Sequence, residues 1–144
     1  MGWIQYAIDY GIIGLLSAMS IFAVAIAIER HLFYRQINPK DFSDKTSLEL
    51  VLTRKLHLIA TIGSNAPYIG LLGTVMGIMV TFYMIGKEGF MDTSKIMVGL
   101  AMALKATAIG LLVAIPSIIL YNLLLRKVRV IMAHWEIEHD RKRI

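Results

Sequence analysis

Three stretches of this chain, 11–28, 58–86 and 96–125, are almost without charge, and the last holds only Lys105. The hydrocarbon core of a bilayer is about 30 Å thick and takes about 20 helical residues to cross. Three such runs in 144 residues, 57% of them hydrophobic, leave too little polar chain to cover them in a soluble core. The pattern predicts a single all-α integral membrane domain over 1–144. Its spans fall at about 8–29, 60–86 and 95–122, with a polar segment at 30–57 and a helical tail at 123–144.

The first span is read as an uncleaved helix, since residues 1–28 contain no Lys or Arg and a cleaved signal carries cations ahead of its apolar run. Met1-Gly2 does not continue into a myristoylation motif, because position 6 is Tyr. There is no cysteine, which removes disulfides and thiolate metal sites. Motifs of the HExxH, GxSxG and P-loop types are missing too. His31, His57, His134 and His139 lie in polar segments without convergent carboxylates. The expectation is a non-enzyme with no catalytic set, no metal and no cofactor.

Charge orients the spans. Arg30, Arg35, Lys40, Lys45, Arg54 and Lys55 lie between the first two, and Arg126, Lys127, Arg129, Arg141, Lys142 and Arg143 follow the third. The other side holds only Lys87 and Lys95. By the positive-inside rule the N-terminus is outside, 30–57 and the C-terminus are cytoplasmic, and a short outer turn covers 86–94. Most of these cations face solvent or lipid headgroups, and no nucleic acid is implied.

"TSLE" fits a capping box with Thr46 as N-cap and Glu49 at N3. Leu48, Val51, Leu52, Leu56 and Ile59 then recur at helical spacing, which predicts one helix running from the polar segment into the second span. Leu124, Val128, Ile131 and Trp135 continue an apolar stripe beyond the third span. That stripe suits either packing on the 46–59 helix, the preferred reading, or an amphipathic tail on the headgroups.

At 100° per residue, Gly63, Pro67, Gly70, Thr74, Gly77 and Thr81 share an arc of about 80° on the second span. Gly99, Ala103, Thr107, Gly110, Ala114 and Ser117 share one face of the third. Lipid gives helices no hydrophobic reason to associate, so small residues that admit close backbones mark the packed faces. Gly70, Gly73, Gly77 and Gly110 are read as the helix-packing glycines. Thr74 and Thr107 fall at the midpoints of their spans. Each either bonds its own i−4 carbonyl or contributes to a polar ring around a narrow pore or partner helix. Pro67 and Pro116 are expected to bend the two helices.

Lys105 points about 160° away from Thr107. At that depth it snorkels, pairs with an anion, or handles ions. Glu29-Arg30 reads as an interfacial pair at the inner end of the first span, and Asp9 as its outer counterpart.

The segments "APYIGLLGTVMGIMVTF" (66–82) and "LKATAIGLLVAIPSIILYN" (104–122) resemble the two signature segments of the MotA/TolQ/ExbB proton-channel family, nearest its ExbB members. The resemblance covers about 60 residues and agrees with three spans and an outer N-terminus. It implies a homo-pentamer in a bacterial inner membrane, enclosing the transmembrane helices of an ExbD-like single-span protein. Protons pass inward at that interface, and the motion reaches a TonB-like protein that energises outer-membrane transport. The family's pore threonines fall on Thr74 and Thr107. Some members carry a glutamate on the third span where Met102 stands here, and an apolar residue at Lys105. The chain is also shorter, lacking much of an N-terminal extension and a cytoplasmic domain. A proton-accepting carboxylate is therefore expected from the partner. A TolQ-like envelope-integrity motor and a flux-free membrane scaffold are the alternatives; a MotA-type stator would need a fourth span.

Overall fold

A computed structural model describes residues 2–89 and 92–142. Among them are four α-helices and no strand: α1 (Gly2–Gln36), α2 (Lys45–Leu52), α3 (Leu56–Glu88) and α4 (Thr93–Lys142), with one 3-10 turn at Pro39–Asp41. Helices α1, α3 and α4 are each long and apolar enough to cross a membrane.

Helices α3 and α4 form an antiparallel pair whose register follows from its closest approaches: Gly63 against Ile118, Gly70 against Gly110, Gly77 against Ala103, and Thr81 against Gly99. Helix α1 lies along both. Gln5 reaches Gly99, Ile12 reaches Gly73, and Asp9 meets Lys105, so α1 runs parallel to α4. Leu16 and Ala23 of α1, Ile62 and Ala66 of α3, and Val113 and Ala114 of α4 make one apolar core. Ala23, Ala66 and Ala114 are its small members, the kind that lets helices approach closely in lipid.

A second core sits at the end rich in basic residues. Leu48, Leu52, Leu56, Ile59, Leu124, Val128 and Trp135 cluster there with Ile26, Ala27 and Tyr34. The α4 stripe thus packs on the 48–59 segment and not on headgroups. The Trp135 indole N–H donates to the Phe42 carbonyl at 2.9 Å, and Lys45 pairs with Glu136. That carboxylate holds the exposed Lys45 ammonium above its ordinary pKa. With 50 residues, α4 is about 75 Å long at 1.5 Å per residue.

Two local expectations are corrected. The N-cap of α2 is Asp44, not Thr46: the Asp44 carboxylate accepts from the Thr46 N–H and the Ser47 hydroxyl, both at 3.2 Å. An ionised cap two residues upstream takes the N2 donor, and Glu49 is left exposed in the body of the helix. The helix entering the second span is also not continuous. It breaks at 53–55, where Lys55 adopts φ 70°, ψ −7° and redirects the chain into α3.

The break is held from α1. Arg30 Nη1 donates to the Val51 carbonyl at 3.0 Å, and the Tyr34 hydroxyl donates to the Leu52 carbonyl. These are last-turn carbonyls of α2, which lack intrahelical donors and carry the negative end of the helix dipole. The guanidinium is 4% exposed, chelated by Glu29 through two bonds of 2.8 Å and seated 4.4 Å from the Phe33 ring centroid.

At the other end, α3 closes on Gly89 with φ 73°, and α4 starts after Asp92, which accepts from the Ser94 hydroxyl at 3.0 Å. Residues 90 and 91 of the expected outer turn lie outside the described residues. Pro67 and Pro116 sit inside α3 and α4, which continue through them.

Candidate functional site

The α3–α4 seam admits almost nothing larger than hydrogen where its glycines lie. A Cβ on Gly70 would stand 2.7 Å from the Ala106 carbonyl oxygen, and one on Gly110 would stand 2.7 Å from that of Ala66. Gly77 is closed by the Ala103 methyl at 2.7 Å. Gly73 faces both the Ala106 methyl and, at 3.2 Å, Ile12 of α1, so it serves two interfaces.

This closeness brings Thr74 and Thr107 together. Their hydroxyls are hydrogen-bonded to each other, Thr107 donating because Thr74 has one proton and spends it on a carbonyl. Thr74 Oγ1 donates to the Ala103 carbonyl across the seam at 2.9 Å, a shorter contact than the 3.3 Å to its own i−4 carbonyl at Gly70. Thr107 Oγ1 lies 3.4 Å from the same Gly70 oxygen. Thr81 and Ser117 do bond their own i−4 carbonyls, at 2.9 and 2.7 Å. Thr74 and Thr107 therefore differ from the other hydroxyls on the stripes: they bridge helices. Thr74 is buried, whereas Thr107 is only half-buried. The pair can relay or orient a hydrogen bond between the seam and the surface that Thr107 reaches. It cannot hold a proton as a base, and neither helix supplies one: no Asp or Glu occurs in 50–87 or 93–135.

Lys105 lies elsewhere. Its ammonium pairs with Asp9 of α1 at 3.0 Å, with Asp9 11% exposed and Lys105 47% exposed. Of the readings open to it, anion pairing is the one the geometry adopts. Met102 lies near this pair, lining with Gln5, Asp9 and Ile12 a cavity of about 20 Å³ between the helices. Glu29 is far from the threonines and braces Arg30, with Lys55 4.0 Å away. Sequence reasoning missed the Asp9–Lys105 partnership; two opposite charges in the N-terminal halves of two spans were its available signal.

The architecture and the seam define a class: a multi-pass helical membrane protein with a close-packed helix pair that carries bridged hydroxyls at its centre. Within that class, the chain belongs to the MotA/TolQ/ExbB proton channel family, whose sequence profile matches residues 25–137. It is 57% identical over 136 residues to the biopolymer transport protein ExbB of Aquifex aeolicus, covering 94% of this chain and 92% of that one. It is 56% identical over 132 residues to the putative biopolymer transport protein ExbB-like 2 of Helicobacter pylori, covering 92% and 88%. The Tol-Pal system protein TolQ of Pseudomonas aeruginosa matches at 46% over 71 residues, 49% of this chain and 31% of that protein.

Proposed function

We propose that this chain is the ExbB-like channel and motor subunit of a bacterial inner membrane, with its N-terminus periplasmic and its C-terminus cytoplasmic. Five copies surround the transmembrane helices of an ExbD-like partner. Proton entry down the proton motive force drives motion that a TonB-like protein carries to outer-membrane transport. The observation that carries this reading is the Thr74–Thr107 hydroxyl bridge, with Thr107 reaching the surface, in two helices whose 56–87 and 93–135 stretches hold no acid. Such a pair orients a partner's carboxylate or its water without competing for the proton. The chain does no chemistry of its own in this scheme. The near full-length likeness to ExbB proteins favours that role over a TolQ-like one, which the 71-residue match to TolQ keeps as the second reading.

The test is proton flux into liposomes, with this protein alone and then with a co-purified single-span partner bearing a membrane aspartate. Flux is expected only with the partner, and is expected to fall at least about tenfold in Thr107→Val and in Thr74→Val. Assembly, followed by mass in detergent, should be unchanged. An assembled complex without flux would leave a scaffold and return the threonines to packing.

A further inference from the structure

Between α1 and α4, on the side away from α3's glycines, lies a groove of about 830 Å³, within the size range of ligand pockets. Its apolar part is formed by residues such as Val24, Ile28 and Leu123, each 44–57% exposed. One turn further along the two parallel helices the lining becomes basic, with His31 and Arg35 from α1 and Arg126 and Lys127 from α4. No Asp or Glu lines it. Lys127 Nζ is hydrogen-bonded to His31 Nδ1 across the groove. Among the described residues, Arg35, Arg126 and Lys127 take part in no salt bridge. Glu29, the nearby acid of α1, is committed to Arg30.

Three uncompensated cations at the end of an apolar groove, where membrane-crossing helix gives way to charged helix, describe a complement to one chemical class. Basic pockets between transmembrane helices at this level hold anionic lipid headgroups. Phosphate oxygens accept in-plane from guanidinium forks and from an ammonium. A second copy of this chain suits the groove less well, since the 30–55 and 126–129 segments that it would bring to this depth are themselves rich in cations. We infer that the groove binds an anionic phospholipid of the leaflet on the cation-rich side. Its phosphate lies between Arg35, Arg126 and Lys127, and an acyl chain lies along Val24, Ile28 and Leu123. This inference rests on the membrane placement of α1 and α4 and is independent of whether the assembly conducts protons.

The full-length protein, equilibrated in mixed micelles of dioleoylphosphatidylglycerol and dioleoylphosphatidylcholine at equal amounts, is analysed by native mass spectrometry. Retention of the phosphatidylglycerol is expected to exceed that of phosphatidylcholine by at least about tenfold. Arg35→Gln/Arg126→Gln, which alters only exposed side chains, should bring the two lipids near parity. Leu123→Trp should lower retention of both by occupying the groove, with helicity by circular dichroism unchanged. Equal retention of the two lipids in the unaltered protein would overturn the inference. So would displacement of the lipid by millimolar inorganic phosphate, or efficient cross-linking of neighbouring copies through Val24→Cys and Leu123→Cys.

Discussion

Gly70→Ala strains the α3–α4 seam at its narrowest point. The new methyl carbon would lie 2.7 Å from the Ala106 carbonyl oxygen, 3.1 Å from the Cα of Thr107 and 3.2 Å from the Cα of Gly110. All three neighbours are backbone, so no rotamer change relieves the contact. The helices must part by about 0.3 Å to restore even 3.0 Å at the closest point. That parting stretches the cross-seam bond from Thr74 to the Ala103 carbonyl, which starts at 2.9 Å. Overpacking costs about 1–3 kcal/mol, and an interhelical hydrogen bond in a membrane protein contributes about 0.6 kcal/mol. The expected loss is about 2 kcal/mol, or roughly thirtyfold in the unfolding equilibrium. Reversible unfolding by SDS in mixed micelles, followed by circular dichroism, measures it. Gly14→Ala is the control, because a Cβ there meets nothing within 4 Å; it should not destabilise, and the better helix propensity of Ala adds up to about 1 kcal/mol. Equal stability of the two variants would refute the argument that backbone contact at Gly70 sets the spacing of the pair.

Three further perturbations probe the rest of the molecule. Arg30→Met removes the donor to the Val51 carbonyl and should cost about 1.5–3 kcal/mol; amide hydrogen exchange should rise first across 48–56, where α2 ends. Lys55→Gly removes a Cβ from a left-handed residue and should stabilise by about 1 kcal/mol, read as a higher melting temperature in detergent. For the Asp9–Lys105 pair, Asp9→Asn or Lys105→Met alone should each cost about 1–3 kcal/mol. The double variant should cost less than their sum by about 0.5 kcal/mol or more, and strict additivity would show that the two groups do not interact.

The spans and the seam were legible in the sequence for one physical reason: lipid removes the hydrophobic drive between helices, so small residues have no other use on a face. Gly70, Gly77, Ala103 and Gly110 could be assigned to a contact from spacing alone, and Thr74 and Thr107 followed because they share the same faces. The break between α2 and α3 was illegible for the opposite reason. Leu48, Leu52, Leu56 and Ile59 keep a helical spacing of four, four and three residues straight across it, so periodicity runs through a point where the helix does not. What ends α2 is Arg30, 21 residues away in the chain. The Asp44 cap competed with a plausible Thr46 signal, and only geometry decides which oxygen reaches the free amide. Asp9 and Lys105 were each noticed, but 96 residues separate them and no local rule pairs them.

The unbroken course of α4 makes it a lever arm. From Thr107 to Trp135 the axis runs about 42 Å at 1.5 Å per residue, so pivoting the rod by about 5° at the threonine swings the tryptophan by about 4 Å. The far end is not free: Trp135 holds the Phe42 carbonyl and Glu136 holds Lys45, so the 37–52 segment is towed with it. The left-handed residue at 55 sits where that segment meets α3. A pivot of α4 at the bridged hydroxyls would therefore be largest at the far end of the helix, in a part of the chain that touches neither.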